Sequence, residues 1–279
     1  MRMKVLGALF LLAVSCLGSI AAGAQTEKQG ITVAAASDLS FVLQDLAARF
    51  EKRTDTQVKL SFGSSGNFFA QIQNGAPYDV FFSADIEYPQ RLEQAGLSEP
   101  RTLYRYATGK LVLWALKESP VDVSHGLPAL LDASVKKVAV ANPAHAPYGR
   151  AAVSALRRES LYDKLAAKLV FGENISQTAQ FVLTGNADAG IIAMSLALSP
   201  PVESKGKYFV IAQQDYPPLE QAAVILRSSK NKQLAKQFVD FLKRPESVAL
   251  FKSYGFSPAE ANGGSSAQKE PQAAPKVSK

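Results

Sequence analysis

Residues 31–50 read ITVAAASDLSFVLQDLAARF, and the change of rhythm inside this stretch decides the fold class. Ile31 to Ala35 is a short apolar run of strand type, after which Phe41, Leu43, Leu46 and Phe50 recur at helical spacing. The succession returns with a strand at Val58 to Phe62, a helix over Phe68 to Gln73 and a third strand at Asp79 to Ser83. Beyond an apolar run at Leu111 to Leu116 it restarts: strand Val138 to Ala141, helix Arg150 to Glu159, strand Leu169 to Phe171, helix Gln177 to Leu183, strand Ala189 to Ala193. Strand, small polar turn and amphipathic helix in repetition are the pattern of β-α units around a parallel sheet, so the class is α/β. A late strand at Ala222 to Leu226, a helix at Lys232 to Leu242 and a helical segment from Pro245 to Tyr254-Gly255-Phe256 are expected to rejoin the first half.

The two ends differ from this middle. Residues 1–24 read as a secretory signal, with Arg2 and Lys4 before the apolar run Val5 to Val14 and small residues at Ala22-Gly23-Ala24. That run is well short of the ~20 residues needed to span a bilayer. Cys16, the only cysteine, lies inside the signal, which excludes thiolate and disulfide chemistry from the mature chain; lipid attachment there is the minor alternative. Residues 259–279 consist mainly of small and polar residues and read as a disordered tail. The net charge of +7 falls to +5 without Arg2 and Lys4 and is scattered, which argues against a nucleic-acid partner.

Chemistry is expected where strands end and helices begin, because ligands of open α/β sheets bind there. Four such junctions are rich in small or polar residues: Ala34 to Leu39, Phe62 to Asn67, Asn142 to Gly149 and Gly172 to Ser176. A helix start carries unpaired N–H donors and about half a positive charge, so several aimed into one cleft can hold a dianion without Lys or Arg. Taken singly, Ser37 and Ser65 also fit plain N-caps.

Ala34 to Leu39, Phe62 to Gly66, Gly75 to Asp85, Asn142 to Gly149 and Tyr254-Gly255-Phe256 together resemble the periplasmic molybdate-binding proteins of ABC transporters. The resemblance runs from Ile31 to Ser257, and Gly75 to Asp85 is its most specific part. It implies a two-lobed type II periplasmic-binding fold, each lobe a mixed, mostly parallel sheet flanked by helices. Residues 30–109 plus 222–258 would form lobe 1 and 110–221 lobe 2, with crossings near Lys110 and Gln221. It further implies a monomer that captures molybdate or tungstate, uses no cofactor, and delivers to a membrane permease and its ATPase. The anion donors correspond to Ser37, Ser65, Tyr148 and Ile175, all acting on oxyanion oxygens rather than on molybdenum.

Two positions depart from simple expectation. Many relatives have a Tyr at the place of Ala193, and the phenol of Tyr148 is the expected replacement. Asp38 is expected to point outward with only its N–H near the site, since a carboxylate facing a dianion in a dry cleft is strongly repelled. Three other readings remain open at this level. One is another oxyanion such as sulfate or phosphate. A serine hydrolase using Ser65 and His145 is the second, although Gly63-Ser64-Ser65-Gly66-Asn67 lacks the last Gly of a nucleophile elbow. The third is a cation or amine site recruiting Tyr104, Tyr106, Tyr148, Asp79 and Asp85.

Overall fold

The computed structural model describes residues 29–259. The signal reading of residues 1–24, Cys16 included, and the tail after Ala259 lie outside the described residues. The chain starts with strand β1 (Gly30–Ala36), a 3-10 turn (Ser37–Leu39) and helix α1 (Ser40–Thr54). It continues through β2 (Gln57–Gly63), α2 (Ser65–Gln73), β3 (Val80–Ser83), α3 (Glu87–Gln94) and β4 (Tyr104–Gly109). Lys110 separates β4 from β5 (Leu111–Leu116), where the second sheet begins.

That second part contains β6 (Val138–Ala141), α4 (Pro147–Arg158), α5 (Tyr162–Leu165), β7 (Leu169–Gly172), α6 (Ile175–Leu183) and β8 (Ala189–Ala193). It ends with the single-turn helices α7 (Met194–Ala197) and α8 (Pro200–Glu203) and strand β9 (Gly206–Val210). The chain then returns through β10 (Leu219–Ile225), α9 (Lys232–Leu242), α10 (Pro245–Ser253) and β11 (Ser257–Pro258) to the first sheet. Strands β4, β9 and the two-residue β11 go beyond those the patterning announces.

Both sheets are mixed. The first has six strands in the order β11-β4-β10-β3-β1-β2, and the second five in the order β7-β6-β8-β5-β9. Parallel pairing occurs where β-α units recur, at β1 with β2 and β3 and at β6 with β7 and β8. Antiparallel pairing occurs around the crossovers, at β10 with β3 and β4 and at β5 with β8 and β9.

Each half has its own core. In the first, Phe50 of α1 packs edge-on against Phe238 of α9 at 5.2 Å, and Phe82 of β3 meets the same Phe238 at 6.2 Å, which ties the returning C-terminal helices to the N-terminal sheet. In the second, Trp114 of β5 is fully buried, and the ring leaves no room for a side chain at Gly206 on the neighbouring strand. Among the described residues no helix is long and apolar enough to cross a membrane.

Candidate functional site

The four predicted junctions converge between the two sheets. A small cavity of about 10 Å3 is lined by Ser37, Asp38, Ser64, Ser65, Tyr148 and Ile175, together with small residues of the same turns. Ser37 opens the 3-10 turn that leads into α1, Ser65 is the first residue of α2, Tyr148 the second of α4 and Ile175 the first of α6. Their backbone N–H groups belong to the first turn of a helix, where no intrahelical acceptor exists. Ala193 ends β8 opposite Leu111, is fully buried, and is not among the residues lining the cavity.

Neither Ser37 nor Ser65 is a side-chain cap. Helix α2 is capped by Ser64, whose hydroxyl accepts from the Asn67 N–H at 3.4 Å. Ser65 Oγ instead accepts from the buried Ala84 N–H at 3.0 Å, binding the start of α2 to the end of β3. Ser37 Oγ reaches across to the other half, donating to Asn174 Oδ1 at 3.1 Å and accepting from the Ser176 N–H at 3.2 Å.

Other groups also join the halves. Gly66 N–H donates to the His145 carbonyl at 2.9 Å, an approach so close that a Cβ on Gly66 would lie 2.7 Å from that oxygen. Ser195 Oγ donates to the Asp38 carbonyl at 2.7 Å, and Asn67 Nδ2 donates to Glu173 Oε1 at 2.6 Å. Arg150 of α4 forms an ion pair with Asp85, whose carboxyl is held above the usual range by burial and drawn back by the Tyr88 N–H and by Arg150.

The largest departure from expectation is Asp38. Its side chain does not point outward; the residue is 1% exposed and lines the cavity. Burial pushes its carboxyl up to about 6, although hydrogen bonds from Gln221 and Tyr148 and its own backbone N–H favour the charged form. Asp38 Oδ2 accepts from Gln221 Nε2 at 2.7 Å, while Oδ1 has no hydrogen-bond partner among the described residues. These neighbours make the inward orientation tolerable, because a buried carboxyl group costs less when donors face it.

The Tyr148 phenol belongs to the same network. Its oxygen accepts from Gln221 Nε2 at 3.1 Å, and its own proton is directed to the Asp38 carboxyl. Burial and the neighbouring Asp38 hold the phenol well above its ordinary pKa, so it stays protonated. Gln221 is oriented by Tyr106, whose hydroxyl lies 2.8 Å from Gln221 Oε1 and 2.9 Å from the Ser83 carbonyl. The β4–β10 register shifts between Gln221 and Ala222, leaving Tyr106 as the extra residue on its strand; such a bulge re-aims side chains.

Sequence reasoning named neither Gln221 nor Tyr106 for this network. The one available signal was an amide inside the run Leu219 to Ile225.

The rival readings find their residues otherwise engaged. His145 Nδ1 lies 2.9 Å from Ser64 Oγ, the capping hydroxyl, while the Ser65 hydroxyl is bonded to Ala84. Asp79 accepts from the Thr32 N–H and the Ser229 hydroxyl, and Asp85 faces Arg150. Among the described residues no group of three or more His, Cys, Asp or Glu could hold a metal ion.

Comparison with known proteins gives a family match over the whole folded region. The profile of the bacterial extracellular solute-binding proteins matches residues 31–257. The chain is 39% identical over 239 residues to the molybdate-binding protein ModA of Azotobacter vinelandii, covering 86% of this chain and 93% of that one. It is 36% identical over 226 residues to ModA of Rhodobacter capsulatus, covering 81% and 87%. The solved structure of the Azotobacter vinelandii periplasmic molybdate-binding protein superimposes with a TM-score of 0.77 at 36% identity, covering 81% of this chain and 98% of that one.

Proposed function

The chain belongs to the bacterial extracellular solute-binding proteins, and from that premise we propose that it captures molybdate, and with it tungstate, for an ABC importer. The observation that carries the reading is the convergence of four helix starts on one cavity lined by Ser37, Ser65, Tyr148 and Ile175. Their N–H groups and the Ser65 hydroxyl supply donors without a cation, which suits an oxyanion with oxygens on all sides. These residues bind oxygen atoms of the anion and none ligates molybdenum itself. The relatives whose names specify molybdate support the choice among oxyanions.

On this reading the protein is a periplasmic monomer that performs no catalytic step and needs no cofactor. Its partners are a membrane permease and that permease's ATPase, which recognise the form with both halves closed on the anion. Thermal-shift and calorimetric titration of the purified chain with molybdate, tungstate, sulfate and phosphate tests it. Molybdate and tungstate should bind tightly and sulfate much more weakly. Equal stabilisation by sulfate at matched concentration would overturn the selectivity, and turnover of an ester substrate would overturn the non-catalytic assignment.

A further inference from the structure

Asp38 is a buried acid in a cavity that otherwise offers hydrogen-bond donors, and its partners are all neutral. Gln221 Nε2 donates to Oδ2 and, as an amide nitrogen, cannot accept a proton from Asp38, while the Tyr148 oxygen already accepts from the same Gln221 Nε2. Oδ1 remains, buried and without a partner among the described residues, on a residue that lines the cavity. A dianion beside an ionised Oδ1 would meet a like charge at low dielectric, whereas a protonated Oδ1 is a donor of the kind the other three junctions supply.

We propose that Asp38 binds the oxyanion as a neutral acid, its proton on Oδ1 donated to an anion oxygen, so that each anion captured at neutral pH takes up one proton from solvent. The inference rests on the oxyanion-capture reading above and adds to it a coupling between capture and pH. The carboxyl already lies near 6 before any anion charge is present, and a captured dianion raises it further. Below that value Asp38 is neutral in the free protein and contributes no pH dependence. Above it affinity falls as pH rises, approaching roughly tenfold per pH unit until the value in the complex is reached.

The groups facing Asp38 are few. Gln221 of β10 and Ser195 of α7 do not titrate, and Tyr148 of α4 and Tyr106 of β4 are held protonated by burial. Beyond them Tyr216 lies toward Tyr148, and Asp85, paired with Arg150, lies toward Tyr106. His145, with Glu173 beside it, sits on the Ser64 side.

Calorimetry of the intact protein with sodium molybdate, at about pH 6, 7 and 8 and in buffers of different ionisation enthalpy, reads proton uptake directly. Uptake should approach one proton per anion at the highest pH and fall to about half a proton at the lowest, where the free carboxyl is already half protonated. Asp38→Asn keeps an amide donor in place of the acid and should bind with nearly pH-independent affinity and no uptake, while His145→Gln should keep the wild-type profile. Wild-type affinity that is flat with pH and free of proton exchange would overturn the proposal with molybdate capture intact, and this readout needs no variant to fold. Uptake persisting in Asp38→Asn would place the proton on the anion or elsewhere and also overturn it. Failure of the wild-type protein to bind molybdate at any pH would instead overturn the functional reading, and this inference with it.

Discussion

Ser37 and Ser176, 139 residues apart, hold each other across the cleft by two hydrogen bonds: the Ser176 N–H donates to Ser37 Oγ at 3.2 Å, and the Ser176 hydroxyl donates to the Ser37 carbonyl at 2.8 Å. One partner stands at the end of β1 and the other in the first turn of α6, so the pair bridges the two sheets.

Ser176→Ala deletes only the hydroxyl arm of this pair. A hydrogen bond of this type contributes about 1 kcal/mol, and it is made only when the halves meet. Molybdate should therefore dissociate about fivefold faster, with little change in the melting temperature of the ligand-free protein. An unchanged dissociation rate in stopped-flow measurements would show that the pair does not hold the closed form.

Ser37→Ala and Ser65→Ala should separate affinity from stability. The Ser37 hydroxyl bonds only across the cleft, so its loss should weaken anion binding by roughly tenfold or more while leaving melting nearly unchanged. Ser65→Ala also strands the buried Ala84 N–H, at about 1 to 3 kcal/mol, which lowers melting by several degrees as well. Equal melting losses in the two variants would contradict the different roles of these hydroxyls.

Asp38→Asn should stabilise the ligand-free protein at neutral pH. A carboxyl raised by folding from 3.8 to about 6 favours the folded state relative to its charged form below its ordinary value, and that contribution is lost as pH rises through about 6. The variant has nothing to ionise, so its advantage in melting temperature should grow between about pH 4 and 7 and level off at an effect on the order of 2–3 kcal/mol. A gap that stays constant across that range would place Asp38 at its ordinary pKa.

Tyr148→Phe distinguishes a phenol that touches the anion from one that serves Asp38. In the structure the hydroxyl favours the charged form of Asp38, so removing it should raise that carboxyl further. The pH at which molybdate affinity begins to fall should then move upward, with affinity near pH 6 changed little. A loss of roughly tenfold to a hundredfold, equal at every pH, would instead identify the phenol as an anion donor.

Local chemistry made much of this protein legible. Strand and helix periodicity marks β1 with α1 and β6 with α4, because each element needs only its own residues to show its buried face. The junctions at Ser37, Ser65, Tyr148 and Ile175 were readable for the same reason: a small polar turn before an amphipathic run signals a helix start wherever it occurs. Strand β4 was less legible, since the bulge at Tyr106 depends on how it pairs with β10.

The sequence by itself determined the α/β class, the succession of β-α units and the four turns that meet at the cavity. Only the tertiary structure decided that Asp38 faces inward, that Gln221 joins it to Tyr148, and that Ser37 serves the opposite half rather than its own helix. Those contacts span 183, 73 and 137 residues of chain respectively. A side chain's nearest neighbours in sequence set its backbone conformation, but the direction of a buried polar group depends on which distant donors and acceptors arrive beside it when two sheets close on one cleft.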